Sequence, residues 1–356
     1  MKKIIILIGL LFLLSGCYDY KEINDLAVVS AIGIDYDYDN NIYLVTLEVL
    51  NDKQEKDSAS ITSYIKKGNG KTLTDAIENA SDKITKGTNF SHVKLMILSK
   101  NLLDSNFQNI IDLFLRNTYF RENFYVIGSI KNKPEELLSQ KNDSDTVASE
   151  SIIMMLKNMN YSSNSDVLLE FDKIIKNGLA DGVDSCFSNV SFNDDGFFID
   201  GLIILDGFKY KNLLDNEDAK VFNLLNNKFE RPSYSIKYDN KVFTIAINDG
   251  KLKTKLKNGK IIVNGKLMGR IIDNDTNFNI RDDKVLEKIN NDFSELINDL
   301  VIDFIKKMQE NETDLLGFSL KNYKEHRIKD DNFWKYLDIT SDIDFYINKK
   351  GLIYEK

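Results

Sequence analysis

Residues 26–50 read LAVVSAIGIDYDYDNNIYLVTLEVL, and this stretch decides the class of fold. The run 26–34 is apolar and rich in small and β-branched residues, and 42–50 alternates apolar and polar positions. The residues between them at 39–41, Asp-Asn-Asn, are types that favour a turn. Two such runs around a short polar turn predict a β-hairpin.

Helical and strand patterns follow this hairpin in turn. Leu73, Ile77, Ala80 and Ile84 share one face of a predicted helix, with Thr74 as its N-cap. The polar residues 52–60 predict a loop. Further predicted elements are strands over 93–98 and 124–130, a helix over 102–115 and a helix that opens at Pro134.

The character of the chain changes near residue 180. Apolar residues at helical spacing continue from 152 to Gly178, a candidate C′ glycine that ends the helix. Residues 183–192 and 197–205 then flank Asp-Asp-Gly at 194–196, which predicts a second hairpin.

The last third of the chain contains the strongest helical pattern. Apolar residues step by three or four through 282–308, and charged residues occupy the opposite face. The other predicted elements are a helix over 215–226, strands over 233–248, a hairpin over 251–272 that turns at Asn258-Gly259, and a last strand over 342–348.

Composition excludes several classes of protein. The 356 residues include 47 Lys and Arg against 55 Asp and Glu, a formal net charge of -8. This balance argues against a nucleic-acid partner, because nucleic-acid-binding domains are usually basic. The 21 Phe and 16 Tyr exclude a disordered chain. Two His and two Cys leave little material for a zinc site or a disulfide framework.

The N-terminus has the features of an export signal. Lys2 and Lys3 precede an apolar stretch over 4–14, which is too short to cross about 30 Å of hydrocarbon and is typical of a signal-peptide h-region. Leu14, Ser15, Gly16 and Cys17 follow, and they resemble a bacterial lipobox cleaved just before the cysteine. The resemblance implies a covalent diacylglyceryl lipid on Cys17. The alternative is an ordinary signal peptide with a chance cysteine.

A lipid on Cys17 would anchor the mature chain to a membrane surface. Two acyl chains give durable attachment where one is marginal. No later segment approaches 18 uninterrupted apolar residues, so we expect everything after Cys17 to lie outside the cytoplasm without crossing the membrane. Removing Lys2 and Lys3 takes the formal charge from -8 to -10, so the overall charge does not assist adhesion to anionic lipid.

These patterns predict a multi-domain α+β fold. Hairpins outnumber repeated βαβ units, so helices should pack on mixed or antiparallel sheets. The predicted parts are a lipoprotein signal peptide over 1–16, an N-terminal α+β domain over 17–195 and a C-terminal α+β domain over 196–356. A further division of the N-terminal domain into two subdomains would fall near residue 140.

The sequence from Cys17, CYDYKEINDLAVVSAIGID, resembles the opening of the C subunits of spore germination receptors, the Ger(x)C lipoproteins. The matching positions there are Cys17, Asp19, Glu22, Ile23, Leu26, Gly33, Ile34 and Asp35. Later matches are His92 to Lys94, Leu113 to Arg116, Gly201 to Leu214 before Glu217, Asp314, Gly317-Phe318, Trp334 and Gly351. Tyr18 departs from the usual Trp, and Met268-Gly269-Arg270 lacks an expected Glu.

The resemblance implies a function without catalysis. Proteins similar to these are subunits that sit on the outer face of the spore inner membrane and assemble with a polytopic A subunit and a transporter-like B subunit. Such complexes sense nutrients and start germination, and the C subunit has no known enzymatic activity. The expected partners are therefore the A and B subunits and the lipid bilayer, and no cofactor is expected besides the covalent lipid.

One stretch suggests an interaction surface. Lys251, Lys253, Lys255 and Lys257 alternate with less polar residues and should project from one face of a strand, with Lys260 and Lys266 on its partner strand. The simpler interpretation is a solvated face that discourages sheet-to-sheet aggregation. The alternative is contact with acidic headgroups or with an acidic patch on a partner subunit.

Residues 68–72, GNGKT, look like the end of a P-loop. The full motif needs a glycine five residues before Gly70, and Ile65 occupies that position. We therefore expect a loop that leads into the following helix. No serine lies in a G-x-S-x-G motif, so the usual nucleophile elbow is also missing.

The remaining candidate residues do not complete a metal site. Asp35, Asp37 and Asp39 mimic the first ligands of a calcium loop, but Asn40 and Thr46 replace the required Gly and Glu. The two histidines, His92 and His326, lack metal-ligand spacing, and Cys186 is expected to be a small buried apolar residue.

Two other functions compete with a receptor subunit. A substrate-binding lipoprotein of a membrane transporter would show two doubly wound lobes, which the hairpin-rich pattern disfavours. A membrane-tethered hydrolase would need a nucleophile, a base or a metal constellation, and the sequence shows none.

Overall fold

The computed structural model describes residues 25–51, 61–105, 107–116, 120, 121, 123–140, 147–158, 165–229, 232–238, 241–274, 282–330 and 332–349. The predicted signal peptide, the lipobox, the loop over 52–60 and Gly351 lie outside these residues.

The described strands form two sheets. The first has the order β10-β9-β8-β6-β5-β1-β2-β3, with β4 beside β1 and β7 beside β6, and the second has the order β11-β12-β13-β14. The strands are β1 (Leu26–Asp37), β2 (Ile42–Leu50), β3 (Ser63–Gly70), β4 (Gly87–Asn89), β5 (Leu95–Ser99), β6 (Tyr125–Ser129), β7 (Leu169–Glu170), β8 (Ser185–Asn193), β9 (Gly196–Asp206), β10 (Lys209–Leu214), β11 (Ser233–Tyr238), β12 (Lys241–Lys257), β13 (Lys260–Asn274) and β14 (Asp338–Lys349).

Helices cover both faces of the first sheet and one face of the second. In the described residues they are α1 (Leu73–Ser81), α2 (Lys100–Ser105), α3 (Phe107–Arg116), α4 (Pro134–Leu138), α5 (Ala148–Asn158), α6 (Phe171–Gly178), α7 (Asn216–Leu225), α8 (Asp283–Glu310) and α9 (Phe318–His326), with a 3₁₀ turn over Phe333–Tyr336. This arrangement of helices on mixed sheets confirms the predicted α+β class.

The predicted hairpins all form. β1 pairs antiparallel with β2, β8 with β9, and β12 with β13. At the last of these turns Asn258 and Gly259 have φ of 52° and 71°, the left-handed conformation that a two-residue hairpin requires.

Two predicted helix ends are wrong in detail. Thr72, not Thr74, is the N-cap of α1: its hydroxyl accepts from Asp75 N at 3.1 Å, and Thr72 N donates to the Asp75 carboxylate. Gly178 is the last residue of α6 and not a C′ residue, because the C-cap is Leu179. Glycine occurs there because the Phe208 ring packs where a Cβ would lie.

Other elements differ from the sequence prediction. Residues 102–115 belong to two helices, α2 and α3, and the strand predicted from 342 begins at Asp338. β10 and α9 were not predicted at all, because both lack a regular pattern of apolar residues.

The predicted domain boundary near residue 195 falls in the turn between β8 and β9, inside the first sheet. One apolar core also joins residues on both sides of it, including Val167, Cys186, Leu202 and Phe293. The chain moves from the first sheet to the second only after Leu214. The suggested division near 140 lies beside residues 141–146, which are outside the described ranges.

Candidate interaction and anchoring sites

The proposed anchor, Cys17 with Leu14, Ser15 and Gly16, lies outside the described residues, so the lipid on Cys17 stays a prediction. Among the described helices, none combines the length and the apolar character needed to cross a membrane.

The four lysines at 251, 253, 255 and 257 form a column on β12. All four are exposed, whereas Leu252 between them is buried against the core of the second sheet. We call Lys251, Lys253, Lys255 and Lys257 the lysine column. Helix α8 packs on the opposite face of this sheet, where Ile261, Val263 and Ile343 are buried.

The strand register extends the charge pattern across the sheet. Lys251 lies opposite Lys266, and Lys257 lies opposite Lys260, so two pairs of like charges face each other on β12 and β13. On β14, exposed aspartates occupy the same rows: Asp344 is the partner of Lys266, and the others stand beside Asn264 and Lys260. We call Asp338, Asp342 and Asp344 the aspartate column.

Among the described residues, no strand pairs with the second half of β12, at the edge of the sheet beside the lysine column. β11 pairs with β12 only from Lys241 to Ala246, with one further bond from Ile247 N to Pro232 O. Beyond that point the side chain of Asn227 covers one position. It accepts from Leu252 N at 2.7 Å and donates to Leu252 O at 3.1 Å.

The other edge, β14, is covered by side chains of α8. Asn298 bonds both the N–H and the C=O of Ile343 at 3.0 Å, Ser294 accepts from Phe345 N at 2.8 Å, and Asn290 accepts from Ile347 N at 3.1 Å. The three α8 residues are four positions apart, which is about 6.0 Å along a helix. Their partners on β14 are two positions apart, which is about 6.6 Å along a strand, so the two spacings nearly match. A helix therefore satisfies the backbone groups that an edge strand normally exposes.

A polar junction connects the first sheet to α9. Asp184 N donates to Asp314 O at 3.0 Å, and Asp314 N donates to the Asp184 carboxylate at 2.8 Å. Lys211 of β10 also donates to Asp184 at 3.0 Å. The carboxylate of Asp314 accepts from Phe318 N and Ser319 N at 2.7 and 2.8 Å, which caps α9.

Burial dominates the electrostatics of this junction. It raises the pKa of Asp184 despite Lys211, and it raises the pKa of Asp314 despite the N–H groups of α9. Trp334 is fully buried next to it, with its ring centroid 5.6 Å from that of Phe318. The residues Asp314, Phe318 and Trp334 from the family resemblance therefore hold the second half of the chain against the first sheet.

A polar cleft of about 360 Å³ lies at this junction. Its lysines each have an acidic neighbour: Lys211 pairs with Asp184, Lys335 lies 2.9 Å from Glu312, and Lys329 lies 3.4 Å from Asp181. Asp206 and Asp314 also line the cleft, so five acidic residues stand against three lysines and the cleft has an excess of negative charge.

The P-loop-like segment serves packing instead of phosphate binding. Gly68 and Gly70 belong to β3 and lie against the backbone of α1, where a Cβ would collide with residues such as Ala76. Thr72 is occupied as the N-cap of α1. A groove of about 700 Å³ beside it is lined by Lys71 and by Arg116, which pairs with Asp112 at 2.9 Å.

The calcium-like aspartates also have local roles. Asp37 accepts from Asp39 N, Asn40 N and the Asn40 side chain, which lower the pKa of Asp37 and fix the β1–β2 turn. Asp35 accepts from Tyr36 N at 2.8 Å. The described residues contain no cluster of three groups able to hold a metal ion.

The two histidines and Cys186 do not form a common site. His92 and His326 are both exposed, and His326 lies 3.9 Å from Glu325. Cys186 is buried in the core, and burial raises the pKa of its thiol to about 12. This agrees with the expected apolar role of Cys186.

Glu48 is a buried carboxyl that the sequence reading missed. It is fully buried in β2, accepts from Ser30 Oγ at 2.7 Å and Ser63 Oγ at 3.2 Å, and lies 3.4 Å from Ser149 N at the start of α5. Burial raises the pKa of Glu48. The available signal was a glutamate inside an otherwise apolar strand, LVTLEVL, which needs hydrogen-bond partners to be buried.

Comparison with known proteins identifies the class. Residues 19–186 match the family model described as spore germination protein N-terminal domain, and residues 200–353 match the model described as spore germination B3/GerAC like, C-terminal. Together these models cover almost the whole chain. The match defines a two-part spore germination protein and agrees with the order of the motifs found in the sequence.

Individual relatives agree with this class. The chain is 24% identical over 97% of its length to spore germination protein KC of Bacillus subtilis (strain 168), covering 96% of that protein. It is 26% identical over 70% of its length to spore germination protein A3 of the same organism, covering 67% of that protein. In fold it resembles the crystal structure of the GerBC protein, with a TM-score of 0.58 and 17% identity over 93% of this chain and 100% of the other.

The chain therefore belongs to the GerAC-like family of spore germination proteins. This confirms the family resemblance read from the sequence.

Proposed function

We propose that this protein is a lipid-anchored, non-catalytic subunit of a nutrient germinant receptor in the spore inner membrane. The observation that carries this proposal is the pair of family models over residues 19–186 and 200–353. The subunit would assemble with the A and B membrane subunits and support the signalling that starts germination.

A role without catalysis is supported by what the buried ionisable groups do. Asp184 and Asp314 hold the junction, Glu48 ties β2 to β1, β3 and α5, and Cys186 is part of the apolar core. Asp184 and Asp314 also line the cleft at the junction, but backbone N–H groups and Lys211 already engage their carboxylates, so both groups have a structural task.

Anchoring through Cys17 is supported by the sequence alone. The lipobox-like residues Leu14 to Cys17 stand directly after an h-region, and the first described strand begins nine residues after Cys17 at Leu26. A diacylglyceryl group on Cys17 would hold the body on the outer face of the membrane.

The decisive experiment is co-purification of the tagged lipoprotein from detergent-solubilised spore membranes. We expect the A and B receptor subunits to be recovered with it. Recovery of an ATP-driven permease instead would support the alternative, a substrate-binding lipoprotein of a transporter. Recovery of neither would contradict the proposal.

A matched pair of variants controls this experiment. Asp314→Ala should weaken the junction and reduce recovery of the complex, whereas Asp195→Ala removes an exposed aspartate of the turn between β8 and β9 and should leave recovery unchanged. An untagged strain processed in parallel measures non-specific binding.

A further inference from the structure

We propose that the lysine column is a contact surface for anionic phospholipid headgroups. The inference deepens the proposed function, because it concerns how a body anchored at Cys17 would lie on its membrane.

The arrangement of the lysine column lowers the stability of the folded protein. Lys251 faces Lys266 and Lys257 faces Lys260 directly across the ladder, and like charges in such positions are destabilising. Within the described part of the chain, none of the four column lysines makes an ion pair, whereas lysines elsewhere commonly do, as Lys131 does with Asp200. The facing lysines are compensated, since Lys260 lies 4.0 Å from Asp338 and Lys266 lies over the Tyr346 ring, so the uncompensated positive charge is concentrated in the lysine column.

Protection of a sheet edge does not explain the whole set. Lys260 and Lys266 lie on β13, which is flanked by β12 and β14 and is therefore an interior strand. At the open edge itself, Asn227 already covers the backbone of Leu252. The lysine side chains project from the uncovered face of the sheet, the face opposite α8.

The composition of this face favours lipid over protein. The centres of protein interfaces are depleted of lysine and enriched in aromatic residues and arginine. Here β13 places Lys260, Ile262, Asn264 and Lys266 beside the column. The one exposed aromatic ring next to them, Tyr346 of β14, lies under Lys266 at one end of the face, so the face has no apolar centre. A cluster of four to eight basic residues beside a membrane is instead typical of binding to anionic headgroups.

The aspartate column determines how the protein is oriented on an anionic membrane surface. It lies two strands away from the lysine column, about 10 Å, which is close to the screening length at physiological salt. The body would therefore approach an anionic surface with β12 foremost and β14 tilted away. The chain as a whole has a formal net charge of -8, so its overall charge does not favour contact with an anionic surface.

The test uses the lipidated full-length protein in vesicles, with a polarity-sensitive thiol fluorophore at Asn264→Cys beside the column. Cys186 is buried and Cys17 would carry the lipid, so the new thiol is the one available to label. Phosphatidylcholine vesicles are compared with vesicles of phosphatidylcholine and phosphatidylglycerol at a ratio of about 7 to 3, a composition chosen to carry the anionic charge that attracts basic clusters.

We expect a blue shift of the emission on the anionic vesicles, no shift on the neutral vesicles, and reversal at high salt. Each lysine near an anionic surface raises the equilibrium constant for contact with that surface about fivefold. The triple variant Lys251→Glu, Lys253→Glu, Lys255→Glu should therefore reduce the contact more than about 100-fold and abolish the shift. The matched control Lys71→Glu, Lys209→Glu, Lys324→Glu has the same net charge at scattered exposed positions and should keep the shift.

Two outcomes would overturn the proposal. The first is no shift on anionic vesicles, which leaves the column as a solvated face. The second is a shift that appears only when the A and B subunits are co-reconstituted, which makes the column a protein-docking surface. If the protein is recovered without lipid, Cys17→Ala is introduced so that Asn264→Cys stays the one thiol available to label. The same vesicles are then added to the full chain in solution, so this test does not depend on the anchor.

Discussion

The two sheets bury their strands in different ways. In the first sheet, β5 is buried at every position, because apolar cores lie on both of its faces. In the second sheet, β12 alternates exposed lysines with more buried residues, because α8 covers one face and nothing in the described residues covers the other. The first sheet therefore holds the body together, whereas the second presents a polar face to the surroundings.

The parallel strands at the centre of the first sheet explain its continuous burial. β1, β5, β6 and β8 are parallel neighbours, with helices on both faces of the sheet. The second sheet has one parallel pair, β13 and β14, and it places that pair at an edge. That edge is stable because Asn290, Ser294 and Asn298 of α8 replace the missing strand.

The largest effect should come from the buried centre of the first sheet. Ile97→Ala removes a fully buried side chain of β5 and should lower the free energy of unfolding by about 2–5 kcal/mol. Ile262→Ala, a half-buried isoleucine on the open face of the second sheet, should lower it by less than about 1 kcal/mol. Urea denaturation of the full chain measures both, and equal losses would contradict the contrast between the sheets.

The junction should be nearly as sensitive. Asp314→Ala leaves the N–H groups of Phe318 and Ser319 unpaired in a buried setting, which should cost about 2–3 kcal/mol. Asp338→Ala on the open face of the second sheet should change stability by less than about 0.5 kcal/mol. Thermal unfolding followed by circular dichroism distinguishes them, and an unaffected Asp314 variant would refute the role of the junction.

Glu48 should make stability depend on pH. Its pKa is raised in the folded state, so its contribution to stability is fully present below its unfolded pKa and is lost as the pH rises through the folded pKa. Glu48→Gln should therefore gain stability relative to the unaltered protein between pH 4 and pH 8. Urea denaturation across that range measures the gain, with the exposed Glu78→Gln as the control. A difference independent of pH would show that Glu48 is buried in its charged form at no cost.

The smallest effect should come from the lysine face, and its sign is opposite to that of a core mutation. Lys251→Thr removes the like-charge pair with Lys266 and should raise the free energy of unfolding by about 0.2–0.5 kcal/mol. Lys209→Thr, at an exposed strand position in the first sheet, provides the comparison. A loss of stability in the Lys251 variant would mean that the face is held together by contacts of the lysine stem.

Patterns confined to one segment were predictable. Asn258-Gly259 required a tight turn, the spacing of apolar residues in 282–308 required a long helix, and LKTKLK required one exposed face. Each prediction depended on local geometry that neighbouring residues determine by themselves.

Features that join distant segments were not predictable. Asn290, Ser294 and Asn298 look like ordinary solvent-facing residues of a helix until β14 lies beside them, about 50 residues later in the chain. The structural role of Asp184 and Asp314 is visible only in the folded protein, where Asp314 N donates to the Asp184 carboxylate. In the same way, α9 lacked a signal because Asp314 caps it and Phe318 anchors it, in place of an apolar stripe along the helix.

The central claim, a receptor subunit held at the membrane by its N-terminal cysteine, is tested most directly by fractionating spores that express Cys17→Ala. We expect this variant to leave the membrane fraction and nutrient germination to fail. The control Cys186→Ala, at a buried apolar position, should stay in the membrane fraction. Full membrane retention of the Cys17 variant together with normal germination would contradict the claim.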